Sequence, residues 1–177
     1  KRLGRDQVLE WIYEIISAYG LSLTSRDGYP YYGCESSHGV GSYNRPHFLR
    51  LRKDFNERQE KDDRYYVMLY VLIVYSFNNR GEFNLPVGKR DFNRKMEEKL
   101  SAFIERLRNQ DCRFVSSDFR AFDGSSLNKH DFVYADPPYL ITCATYNEQG
   151  GWGEGEERDL LEFLDRLDMQ GISFALS

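Results

Sequence analysis

Residues 132–139 read Phe132-Val133-Tyr134-Ala135-Asp136-Pro137-Pro138-Tyr139: an apolar run, then an acid, two prolines and an aromatic. The run predicts a short strand over Asp131 to Ala135 that ends where Asp136 begins. Upstream, Cys112 to Ser116 is a second β-prone run. Downstream, Glu156 to Asp168 has the periodicity of an amphipathic helix, and Ile172 to Leu176 predicts a further strand. Strand, helix, strand is the grammar of a parallel sheet with helices on its faces. In open α/β sheets ligands bind beyond the carboxyl ends of the strands, so Asp136 to Tyr139 falls where chemistry normally occurs.

The first part of the chain has a different grammar. Val8, Leu9, Trp11, Ile12, Ile15, Ile16 and Tyr19 recur at helical spacing, and Gly20 supplies a stop. Leu21 to Pro46 is rich in Gly, Ser and Tyr and reads as an irregular segment held by aromatic anchors. Phe48 to Asn56 and Tyr65 to Phe77 each predict a helix, the second so apolar that it is expected to be the buried centre of a helical subdomain. Asn78 to Gly88 has the composition of a hairpin or exposed loop, and a charged helix is expected from Phe92 to Asn109. The expected organisation is therefore a first helix over 1–20, a mainly helical part over 21–110 with a hairpin at 80–88, and an α/β part over 111–177.

Composition narrows the function classes. The chain has 177 residues, of which 41% are hydrophobic and 29% charged, and no apolar run approaches the roughly 18 residues of a membrane span. Three cysteines, Cys34, Cys112 and Cys143, lie far apart, which is neither a disulfide framework nor a zinc site. No metal site is expected, and the expected compartment is the cytoplasm. The net charge is −4, but eight acids and two bases fall between Glu148 and Asp168, so the remaining 22 bases and 20 acids leave the rest slightly positive. Arg80, Lys89, Arg90, Arg94 and Lys95 cluster among Phe77, Phe83 and Phe92, a pattern that suits either a solvated face or a nucleic-acid contact.

The chemistry of Asp136 to Tyr139 follows from its residue types. Proline has no backbone N–H, so the Pro137 carbonyl is left to accept a hydrogen bond beside the Asp136 carboxylate. Two converging acceptors match an NH₂ group, and Tyr139 offers a flat face for the ring that bears it. The same four residues also suit a simple turn after a strand.

The string resembles the catalytic motif of amino-methyltransferases that use S-adenosylmethionine. The wider pattern resembles the D12 class of DNA adenine methyltransferases, the Dam-type enzymes, through Gly81-Glu82-Phe83-Asn84-Leu85-Pro86-Val87-Gly88, Tyr70 to Asn79, and Ser117-Asp118-Phe119. The resemblance implies part of a Rossmann-like methyltransferase sheet, with the helix over 1–20 belonging to the methyltransferase domain, 21–110 a helical target-recognition domain and 111–177 the catalytic α/β part. It also implies S-adenosylmethionine as cofactor, double-stranded DNA as substrate and, in restriction–modification systems, a restriction endonuclease as partner. Asp136 and the Pro137 carbonyl would hold the exocyclic amine of a flipped adenine, and Tyr139 would stack on the base. Asp118 and Phe119, together with Asp136, would contact the cofactor, although a plain helix N-cap suits Asp118 equally well. Arg80, Asn84 and Pro86 of the hairpin would face DNA, with Lys89 and Arg90 on phosphates.

The chain departs from the family pattern in two places. The family's lysine-bearing segment and Phe-x-Gly-x-Gly loop do not occur, and the hairpin is short by a stretch between Asn79 and Arg80. A fragment of a longer methyltransferase is expected. The alternative is a DNA-binding remnant without a complete cofactor site. A protein glutamine methyltransferase is disfavoured, since its comparable motif begins with Asn, which has a different donor and acceptor pattern.

Overall fold

The computed structural model describes residues 3–76, 86–138 and 152–177, which divide between two compact units, Lys1–Cys112 and Arg113–Ser177. The first is helical. Helix α1 (Arg5–Tyr19) ends at Gly20, whose φ of 73° is the left-handed conformation that glycine adopts without steric cost. A single turn, α2 (Thr24–Asp27), leads to α3 (Gly41–Glu57), α4 (Asp63–Tyr75) and α5 (Arg94–Asn109). Asp62 caps α4 by accepting from Tyr65 N at 2.8 Å, and Asn93 caps α5 by accepting from Met96 N at 3.1 Å. Ile12, Ile15 and Ile16 of α1, Phe48, Leu51 and Phe55 of α3, and Val67, Val71 and Leu72 of α4 form one core. Their spacing of three and four residues puts each set on one helix face. In this packing α1 belongs with the helices that follow it.

Two expectations change here, for α3 and α4, while α5 forms close to where its charged pattern places it. Helix α3 begins seven residues before Phe48 and runs through Pro46, which removes one helix hydrogen bond. Tertiary bonds outweigh the local breakers, because the Asn44 side chain is buried and pairs with Ser22 in both directions, at 2.9 Å each. Helix α4 is buried on one side only: Tyr66 and Ile73 are exposed. Helix α5 is strongly amphipathic yet has no fully buried residue, and Phe103 on its apolar face is exposed.

A buried polar knot ties the unit together. Asp91 accepts from Ser22 Oγ at 3.0 Å and from Thr24 N and Oγ1 at 2.6 and 2.9 Å, while the Tyr75 hydroxyl donates to Ser22 O at 2.6 Å. The knot lies beside the place where the chain leaves α4 and returns. Ser76 and Val87 form an antiparallel bridge, and Gly88 N donates to Tyr75 O at 2.7 Å. A Cβ on Gly88 would lie 2.5 Å from the Ser76 carbonyl oxygen, so glycine is required for this close approach.

The second unit is a βαβ element. Strand β1 (Phe132–Ala135) pairs in parallel with β2 (Ser173–Leu176), Ala135 opposite Leu176, and α6 (Glu154–Met169) packs on one face. Leu160, Leu164 and Leu167 of α6, with Ile172, form a small core against Val133 and Ala135. Phe132 and Tyr134 alternate onto the opposite face and stay exposed, at 63% and 62%. The expected strand over Cys112 to Ser116 does not form. A β-prone run becomes a strand only against a partner, and here Phe114 and Val115 remain exposed. No helix among the described residues is long and apolar enough to cross a membrane.

Candidate functional site

Strand β1 delivers Asp136, Pro137 and Pro138 to its carboxyl end, where they border a cavity of about 930 Å³ formed within the second unit. That volume is in the range of about 300–1,000 Å³ usual for small-molecule sites. Aromatic residues form part of a largely apolar wall: Phe119 and Trp152 are in tilted contact, ring centroids 5.6 Å apart and planes at 42°, and Phe122 meets Phe163 edge-on at 6.1 Å. Charged groups are few, namely Arg113, Asp123 and Asp136. Asp136 is exposed, and its Oδ1 accepts from Ser177 Oγ at 2.8 Å.

The wall bearing Phe119 is held by ion pairs. Asp118 caps the short 3₁₀ turn Phe119–Ala121 by accepting from Arg120 N at 2.8 Å. The Arg120 guanidinium then bonds Asp159 at 2.5 Å, Asp118 at 3.0 Å and Glu156 at 3.0 Å. These bonds push the Arg120 pKa up, the Asp159 bond contributing most. Asp118 is held below its usual range, chiefly by the Arg120 backbone N–H and then by its charge. Glu156 is lowered by backbone N–H groups at the start of α6, among them Gly153 N at 2.9 Å, and further by Arg120. Trp152 is fixed in turn, its Nε1 donating to Glu157 at 2.8 Å.

Of the residues expected to act, the structure brings Asp136, Pro137 and Phe119 to one cavity. Asp118 is not among the described residues that line it; both its oxygens are engaged by Arg120. In the first unit Pro86, Lys89 and Arg90 are exposed beside the Ser76–Val87 bridge. Tyr139, Arg80 and Asn84 lie outside the described residues. Trp152, Asp123 and Ser177 were not singled out from the sequence. Trp152 stands alone between glycines, with no periodic neighbour to mark it. Ser177 becomes visible only through the strand register.

A parallel βαβ unit whose first strand ends in Asp-Pro-Pro at a cavity defines an α/β protein with that cavity at the carboxyl edge of its strands, where ligands of open α/β sheets generally bind. The family model of the D12 class N6 adenine-specific DNA methyltransferases matches residues 34–177, and the chain belongs to that family. It is 34% identical to the type II methyltransferase M.FokI of Planomicrobium okeanokoites, over the whole chain and 26% of the relative's length. It is 38% identical to the modification methylase StsI of Streptococcus sanguinis, over 97% of the chain and 24% of the relative. The DNA adenine methylase of Salmonella typhi is 33% identical over 56% of the chain and 37% of its own length. The chain thus spans about a quarter of the first two relatives.

Proposed function

We propose that the protein containing this chain transfers a methyl group from S-adenosylmethionine to the exocyclic amine of an adenine at specific sites in double-stranded DNA, in the cytoplasm. The observation that carries this reading is Asp136-Pro137-Pro138 at the mouth of the cavity, in a chain of this family. In this reading β1, α6 and β2 are part of a Rossmann-like methyltransferase sheet, and the helical unit serves target recognition.

The cavity suits the cofactor, since aromatic faces take a purine and carboxylates accept from amines. Phe119, presented by the turn that Asp118 caps, and Asp123 would hold the adenine part, with Trp152 packed against Phe119 to back it. When bound, S-adenosylmethionine supplies a methyl group on a sulfonium centre. The protein's own part is geometric. Asp136 and the Pro137 carbonyl accept the two protons of a flipped adenine's amine, which draws the nitrogen lone pair out of conjugation and aims it. The Asp136 carboxylate also stabilises the positive charge that develops on that nitrogen. Tyr139 stacks on the extruded base. Arg80, Asn84 and Pro86 face the duplex, and Lys89 and Arg90 take phosphates. A restriction endonuclease is the expected companion.

Asp136→Ala in the full-length protein tests the assignment. Methyl transfer falls by about a hundredfold or more, the scale of one lost preorganised contact, while cofactor binding persists. Activity within a few-fold of wild type overturns the role of Asp136. A protein that binds DNA but no cofactor is instead the DNA-binding remnant.

A further inference from the structure

We propose that Ser177 is a positioning residue for Asp136, holding one carboxylate oxygen so that the other is presented to the substrate amine. The inference rests on the reading that Asp136 receives that amine. The strand register brings the two side chains together. Ala135 pairs with Leu176, and the ladder continues one step further as Ser177 N donates to Ala135 O at 3.1 Å. The residues that follow, Asp136 on one strand and Ser177 on the other, are therefore neighbours, and Ser177 Oγ lies 2.8 Å from Asp136 Oδ1.

This contact matters because Asp136 is exposed and, among the described residues, Ser177 is its only hydrogen-bond partner. An exposed aspartate with no partner samples several rotamers, and most of them turn the carboxylate away from one fixed amine position. A hydroxyl corrects this without the side effect of a cation. It occupies one lone pair of Oδ1 and leaves Oδ2 unneutralised as an acceptor. The second acceptor, the Pro137 carbonyl, needs no such device, because the Pro137 ring fixes its own φ and the following Pro138 restricts the ψ that aims the carbonyl. The two acceptors are thus fixed by different means, one by proline geometry and one by a hydroxyl from the adjacent strand.

The test uses the full-length protein with Ser177→Ala, Ser177→Val, Ser177→Thr and Asp136→Asn, reading the single-turnover rate of methyl transfer and the dissociation constant for S-adenosylmethionine. Valine and threonine have the same shape and differ in the hydroxyl. Threonine is expected within about threefold of wild type, with alanine and valine slower by roughly tenfold to a hundredfold, the cost of a misplaced reacting group. Cofactor affinity is expected to stay within twofold. Threonine and valine equally slow, alanine as fast as wild type, or affinity falling in step with rate each overturns the positioning role. Asp136→Asn separates the two layers: if it retains the wild-type rate, the reading of Asp136 itself fails. If it is slow while Ser177→Ala is not, only the inference about Ser177 fails.

Discussion

Replacing Asp91 with alanine removes the acceptor at the centre of the knot in the helical unit, and the cost can be worked from its three bonds. Hydrogen bonds to a charged group contribute about 1.5–3 kcal/mol each, so a plain sum would reach roughly 4.5–9 kcal/mol. The sum overstates the loss. Thr24 is only half-buried, and water can reach its two donors once the carboxylate is gone. The Ser22 hydroxyl is fully buried and cannot be rescued in this way. The expected destabilisation is therefore about 3–5 kcal/mol, close to what breaking a buried charged interaction costs. Asp91→Asn should lie between alanine and wild type, since its amide keeps one acceptor oxygen but turns a donor toward donors. Native-state hydrogen exchange resolved by residue is the suitable assay, with the amides of Thr24, Val40 and Gly88 as reporters, because they bond Asp91, the Lys89 carbonyl and the Tyr75 carbonyl. Protection at these amides unchanged within about 1 kcal/mol in Asp91→Ala would refute the reasoning.

Two further outcomes are expected. Replacing Lys89 and Arg90 together with alanine weakens binding to all DNA sequences alike and lowers the slope of log affinity against log salt by about two, one unit per phosphate contact; an unchanged slope in a salt titration rules out phosphate contact by both. Acid should loosen the wall of the cavity: Asp118 and Glu156 have depressed pKa values, so their stabilisation is present above the ordinary carboxylate range and is lost as pH falls beneath that range through their folded values. Trp152 fluorescence in Trp11→Phe, which leaves one of the chain's two tryptophans, follows this, and an emission flat down to pH 2 would contradict it.

The sequence was most legible where one residue pattern fixes one structure. Apolar residues at helical spacing located α1, α4 and α5 to within a few residues, and the short apolar run before Asp136 located β1. The parallel pairing of β1 with β2 followed from the strand, helix, strand order. The start of α3 was hidden because Gly39, Gly41, Ser42 and Pro46 are local breakers, and their cost is overridden by Asn44 reaching Ser22, a contact 22 residues away. Cys112 to Ser116 misled in the opposite sense, since β propensity describes fit to a neighbouring strand rather than a backbone preference. The aromatic half of the site was legible at Phe119 through its motif. Trp152 was not, because what places it is the Glu157 carboxylate and the Phe119 ring it packs against.

The parallel pairing of β1 and β2 has a consequence for the order in which the molecule assembles. Ala135 and its partner Leu176 are 41 residues apart, so forming the ladder requires closing a long loop. Each helix, by contrast, begins with bonds between residues three and four apart, which form early. Until the ladder closes, Asp136 has no neighbour at position 177 and no fixed direction. The strand end that carries Asp136 is thus expected among the last parts of the chain to take its final shape, and a change that slows closure of the βαβ unit delays the fixing of Asp136 more than it delays the appearance of helix, as stopped-flow circular dichroism set against a probe of the strand pairing would show.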